Sequence, residues 1–147
     1  MWLLNRAGQL ELQFFDFDAS KQTELHATRV WTKGATHDGP RNGSSIAAIH
    51  VNGTDSNTRF VHYIDNDNNV QQLETVGEAE NLTFSTPMLV DKAIDRKVKL
   101  SAVVVETGKA AGREIHVIFQ KVAGVFTDFI RTLDSNNWSM KDIPVHD

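Results

Sequence analysis

Apolar residues in this chain recur at every second position in one segment after another, and helical three-and-four spacing is almost absent. Leu10-Glu11-Leu12-Gln13-Phe14 alternates. In Ile115-His116-Val117-Ile118-Phe119-Gln120, Ile115, Val117 and Phe119 share one face while His116, Ile118 and Gln120 share the other. Ser45-Ile46-Ala47-Ala48-Ile49-His50-Val51 and Lys99-Leu100-Ser101-Ala102-Val103-Val104-Val105 are runs of small and β-branched residues suited to strands packed closely on both faces. Turn chemistry separates the runs, at Asn52-Gly53-Thr54-Asp55-Ser56-Asn57, Asp65-Asn66-Asp67-Asn68-Asn69 and Gly108-Lys109-Ala110-Ala111-Gly112. The pattern predicts an all-β chain of hairpins. Residues 87–96, whose Leu89, Ala93 and Ile94 hint at a weak helical turn, are expected as a loop between sheets.

The strands also repeat in order and spacing. Ser45-Ile46-Ala47-Ala48-Ile49 precedes Lys99-Leu100-Ser101-Ala102-Val103 by 54 residues, and Phe60-Val61-His62-Tyr63-Ile64 precedes His116-Val117-Ile118-Phe119-Gln120 by 56. A weaker copy lies 48 residues ahead of the middle one, with Leu12 matching Phe60 and Thr23-Glu24-Leu25 matching Gln71-Gln72-Leu73. Three units in 147 residues average 49 each, close to the repeat of a four-stranded propeller blade. The expected architecture is one domain of three propeller-like blades, at about 1–40, 41–90 and 91–147, half of a six-bladed β-propeller. Each unit would end in a segment carrying Trp, as in Val30-Trp31-Thr32 and Asn137-Trp138-Ser139, with Leu82-Thr83-Phe84 standing there in the middle unit. The alternative is a two-sheet β-sandwich with chance similarity between hairpins.

Composition narrows the function. Fifteen Lys and Arg against 19 Asp and Glu give a net charge of −4, so there is no cationic excess for nucleic acid or an anionic membrane surface. No stretch is long and apolar enough for membrane insertion as a helix. The absence of cysteine excludes disulfides, cysteine-ligated zinc and a thiol nucleophile. Trp2-Leu3-Leu4 is too short an apolar run for a signal peptide, which favours a cytoplasmic protein. On that reading the sequons at Asn42, Asn52, Asn81 and Asn137 are fortuitous.

No nucleophile elbow, phosphate loop or dinucleotide glycine pattern occurs, so no enzyme is expected and no cofactor is implied. Asp16, Asp18, Glu24 and Asp128 could supply a glycosidase carboxylate pair only at a separation that sequence does not fix. The run from Asp65 to Asn69 imitates the start of a calcium loop but has Val70 and Val76 where an EF-hand needs Gly and Glu, and it is expected to be a turn. His50 and His62 could meet across a hairpin, an incomplete zinc site.

The middle unit, Ser45 to Ile49 followed by Arg59-Phe60-Val61-His62-Tyr63-Ile64 and Val70-Gln71-Gln72-Leu73, resembles one blade of the fungal fucose-specific lectins, which are six-bladed propellers. Leu100-Ser101-Ala102-Val103, the strand from Ile115 to Gln120 and Phe126-Thr127-Asp128 resemble another. In that family the sugar pockets lie between blades and use an arginine early in the second strand, a glutamate twelve residues later and an aromatic ring. The guanidinium donates to sugar oxygens, the carboxylate accepts from hydroxyls, and the ring packs on the sugar's apolar side. Carried over by position, the first unit offers Leu12, Glu24 and Trp31. The middle unit offers Phe60 and Gln72, and the last offers His116, Asp128 and Trp138. No unit keeps both arginine and glutamate, and Arg59 is one step along the strand, on the opposite face from Phe60.

The resemblance implies a carbohydrate-binding, lectin-like protein whose ligand is a glycan or monosaccharide, fucose or a related sugar. Glu24, Trp31, His116, Asp128 and Trp138 are the expected ligand-binding residues. Three blades leave a ring open, so a homodimer with pockets at the subunit seam is expected. The alternative is a structural or interaction protein that kept the fold and lost the pockets.

Overall fold

The computed structural model describes residues 2–4, 9–16, 24–31, 39–41, 43–52, 57–77, 82–95, 98–106, 112–133 and 137–145. The side chains of 2–4, 13–16, 24–31 and 52 lie outside the described set. All regular structure among these residues is antiparallel sheet. The first sheet contains β1 (Trp2–Leu4), β2 (Leu10–Asp16) and β3 (Glu24–Trp31), in that spatial order. The second contains β4 (Ile46–Asn52), β5 (Asn57–Ile64) and β6 (Asn69–Val76), with β7 (Thr83–Phe84) and β8 (Met88–Lys92) both on β6. The third runs β9 (Ser101–Glu106), β10 (Arg113–Val122), β11 (Val125–Thr132) and β12 (Asn137–Pro144). Three sheets, each a meander of sequence neighbours, are the propeller-like blades the repeat implied, and they replace the two-sheet sandwich.

Two details depart from the sequence reading. Met88–Lys92 is a strand where a loop was expected. The outer edge of β6 presents unpaired backbone groups, and β7 covers only Thr75 and Val76. β8 takes the remaining stretch, pairing Asn69 with Lys92 and Gln72 with Met88, so backbone hydrogen bonding overrides a weak local pattern. The two short strands together fill the fourth lane of that blade. Trp31, placed by sequence in a separate closing segment, is instead the last residue of the third strand, opposite Leu10. Trp138 is in a fourth strand, opposite Arg131.

The hairpins close where the sequence supplies turn chemistry. Asp65 accepts hydrogen bonds from the backbone N–H of Asp67 and of Asn69, from Asn69 Nδ2 and from Gln71 Nε2, all at 2.9 Å. This leaves the acidic run as the β5–β6 turn, with Asn68 at φ 66°. Gly124, at φ 73°, closes the β10–β11 hairpin in the left-handed region that a side chain disfavours. His50 pairs with Arg59, whereas His62 pairs with Ala47, so the two histidines do not meet.

Period-two alternation decides how the sheets stack. Phe60, Ile64, Val70, Ala47 and Val51 face the third sheet and form one core with Ile115, Val117, Phe119 and Phe129. Val98 and Leu100, from the connection into the third sheet, join that core. Val61, Tyr63 and Leu73 face the other way and pack with Leu10 of the first sheet. Phe60–Ile64 is therefore buried at five consecutive positions. On β10 only Ile115, Val117 and Phe119 are buried, and the residues between them are half-buried. Each fully buried aliphatic or Phe side chain contributes about 1.5–3 kcal/mol, which makes the second sheet, covered on both faces, the centre of stability.

Candidate functional site

On the face of the third sheet that no described residue of another sheet covers, β10 and β11 carry His116 and Asp128. Their backbones are not direct partners: His116 pairs with Ile130, and Asp128 with Ile118. This is the diagonal relation on one face of an antiparallel pair, within reach of longer side chains. The side chains meet with Nδ1 and Oδ2 at 2.9 Å. On the far side of the ring, Glu114 Oε2 stands 3.5 Å from Nε2. The imidazole thus lies between two carboxylates, with 19% of the His116 side chain and 12% of the Asp128 side chain exposed. Asp128 Oδ1 is buried and accepts no hydrogen bond from any described residue. An unsatisfied buried acceptor costs about 1–3 kcal/mol, and a hydroxyl donor reaching it would recover that cost.

The opposite face of the same sheet carries Trp138. Its ring packs on Phe129 with centroids 4.4 Å apart. The Arg131 guanidinium lies 5.3 Å from the Trp138 ring and 4.9 Å from that of Phe60 in the second sheet, both within cation–π range. Arg131 Nη1 is 3.5 Å from Glu74 Oε2. An arginine, a glutamate and two aromatic rings therefore converge between the second and third sheets. Beside them, His62 Nε2 and Gln72 Oε1 are 3.1 Å apart. Burial lowers the His62 pKa from 6.5 to about 4, against the opposing hydrogen bonds of Gln72 and the Ala47 backbone, and Arg131 lowers it further.

The structure thus brings His116 and Asp128 together and places Trp138 on the other side of the same sheet. In the first sheet Leu12 pairs with Arg29, while Glu24 pairs with Asp16, so Glu24 stands at the far end of the β2–β3 pair from Leu12. The side chains of Glu24 and Trp31 lie outside the described residues. A search for an arginine and a glutamate twelve residues apart could not find Arg131 and Glu74, which stand 57 positions apart in different sheets. The only local signal is that Glu74 lies two residues beyond Gln72, hence on the same strand face. Among the described residues, no cluster of three or more His, Cys, Asp or Glu is arranged to hold a metal ion.

No protein-family description and no curated protein matches this chain. Two solved structures do resemble it in fold. One is a triple arginine-to-alanine mutant of AofleA from Arthrobotrys oligospora, with TM-score 0.61, 12% identity, and coverage of 99% of this chain and 38% of that one. The other is a mutant of the Aleuria aurantia lectin in complex with alpha-methyl-L-fucoside, with TM-score 0.62, 15% identity, and coverage of 97% and 43%. The chain spans about two fifths of the length of each. At this identity the likeness concerns the fold, and it shows three propeller-like blades, half of a six-bladed propeller.

Proposed function

We propose that this protein binds carbohydrate, with fucose or a related monosaccharide unit docking at His116 and Asp128. The observation that carries the reading is the His116–Asp128 pair at 2.9 Å, with the buried Asp128 Oδ1 receiving no hydrogen bond from a described residue. Imidazole can donate to or accept from a sugar oxygen, and the carboxylate accepts from a hydroxyl. The two residues hold the strand positions that carry arginine and glutamate in the family the sequence resembles. Trp138, with Arg131 and Glu74, is proposed as a second contact region between the second and third sheets. Glu24 and Trp31 are proposed for the first sheet. An aromatic face for the His116 site would come from an adjoining blade.

That blade is proposed to belong to a second copy. The face of the second sheet bearing Phe60 and His62 is covered by Ile115, Val117 and Phe119 of the third. The corresponding face of the third sheet leaves Val103, Val105, Phe126 and Ile143 from 39% to 47% exposed. Apolar residues grouped on one sheet face fit a homodimer that continues the stacking. The test is a glycan array with wild-type protein, His116→Ala and Asp128→Asn. Binding lost in both variants, with thermal unfolding unchanged, supports the site. No binding to any glycan by wild-type protein would sink the reading and leave an interaction protein with a lectin-like fold.

A further inference from the structure

The two junctions between neighbouring sheets share a scaffold and differ in charge. At the junction of the second and third sheets, Phe60 pairs with Glu74 and Ile115 pairs with Arg131. Arg131 reaches across to Glu74 at 3.5 Å, so one arginine meets one carboxylate. The repeat spacing gives the counterparts at the junction of the first and second sheets. Leu12 stands for Phe60, and its pairing partner on β3 is Arg29, where the other junction has Glu74. Arg59 stands for Ile115 and Thr75 for Arg131, and these two also pair. The arginine has moved to the neighbouring strand, and the position of its carboxylate is held by a second arginine.

Arg59 and Thr75 alternate with Phe60 and Glu74, so they share the face on which Val61, Tyr63 and Leu73 pack with Leu10 of the first sheet. Arg59 Nη1 donates to the Gly77 carbonyl at 2.7 Å, which fixes the guanidinium at this end of the sheet. His50 pairs with Arg59 on one side. On the other, Phe84 pairs with Thr75 and packs against the same core. Thr75 is fully buried, and its Oγ1 has no hydrogen-bond partner among the described residues. The next acidic residue in this alternation is Asp65, six positions from Arg59, or about 20 Å at strand rise. Its carboxylate is taken by four hydrogen bonds in its own turn.

We infer that the junction of the first and second sheets binds a tetrahedral oxyanion, a sulfate or phosphate group. A guanidinium matches such oxygens two at a time. The Thr75 hydroxyl donates a further bond and so loses the penalty of a buried polar atom left unbonded. Phe84 and the aliphatic core beside it keep the local dielectric low, which strengthens charge-assisted hydrogen bonds. A free oxyanion and one carried on a sugar share this chemistry. The site is separate from His116 and does not depend on the carbohydrate reading.

The test is titration of ¹⁵N-labelled protein with sodium sulfate, sodium phosphate, D-galactose 6-sulfate and D-galactose, at ionic strength held constant with sodium chloride. The signals followed are the Arg59 Nε–H and the Thr75 backbone amide. The expected result is a saturable shift with at least one oxyanion and none with D-galactose. Read at Thr75, binding should weaken about tenfold in Arg59→Gln and in Arg29→Gln, and persist in a His116→Ala/Asp128→Asn double variant. No shift with any oxyanion overturns the inference, as does equal binding by wild type and both arginine variants. Equal affinity for sulfate and galactose 6-sulfate identifies a free oxyanion as the ligand, and tighter binding of the sugar sulfate identifies one carried on a glycan. A blank glycan array beside a retained sulfate shift removes the His116 reading and leaves this site standing.

Discussion

His62 sets a pH dependence of stability that follows from its position. The imidazole is fully buried between β4 and β6, and burial lowers its pKa from 6.5 to about 4. Between those values the unfolded chain binds a proton that the folded chain refuses, so stability falls as pH drops through the window and is flat above it. At 1.36 kcal/mol per pKa unit, the full loss is about 3 kcal/mol, and most of it is reached by about pH 4.5. The perturbation is His62→Gln, which keeps a polar partner for Gln72 Oε1 and does not titrate. Urea unfolding of both proteins at about pH 7.5 and 4.5, at equal protomer concentration because association would shift the midpoint, gives four free energies. The variant is less stable at neutral pH, since Gln cannot copy the imidazole's packing. Its drop on acidification should be smaller than the wild-type drop by about 2–3 kcal/mol. Equal drops in the two proteins would refute the reasoning.

Three further outcomes follow from the packing. Phe119→Ala empties a fully buried position in the core between the second and third sheets and should cost about 3–5 kcal/mol in urea unfolding, against under about 1 kcal/mol for the half-exposed Val125→Ala. Asp65→Ala removes the acceptor of four hydrogen bonds and strands the buried Gln71 amide, so a loss of about 2–3 kcal/mol is expected in the same assay. Val103→Lys puts a charge at a 47% exposed apolar position, which an unpartnered sheet tolerates and a homodimer seam does not. Sedimentation equilibrium should show a dimeric wild type and a weakened variant, and a wild type that stays monomeric at high concentration removes the second copy from the proposal.

How far the sequence could be read varies along the chain for a definite reason. The alternation in the run from Ile115 to Gln120 assigned each residue to a face correctly, because strand periodicity is a property of adjacent residues. The spacing of twelve also places His116 and Asp128 within contact of each other, since a short hairpin fixes register locally. At the same spacing Leu12 and Glu24 stand apart along the β2–β3 pair. A register shift between Phe14 and Phe15 and a longer connection between β2 and β3 carry Glu24 to the far end of the pair. Residues 87–96 were misread because β8 has little pattern of its own and forms on the open edge of β6.

Sequence alone therefore determined the all-β class, the three repeating units and the faces of the run from Ile115 to Gln120, all set by neighbours along the chain or across a tight hairpin. Tertiary structure alone decided which faces are covered. It drew Arg131 to Glu74 and Phe60, and Trp138 away from His116 and Asp128. The physical reason is that covering a sheet face requires a second sheet, and the residues that meet there are tens of positions apart with no shared local pattern.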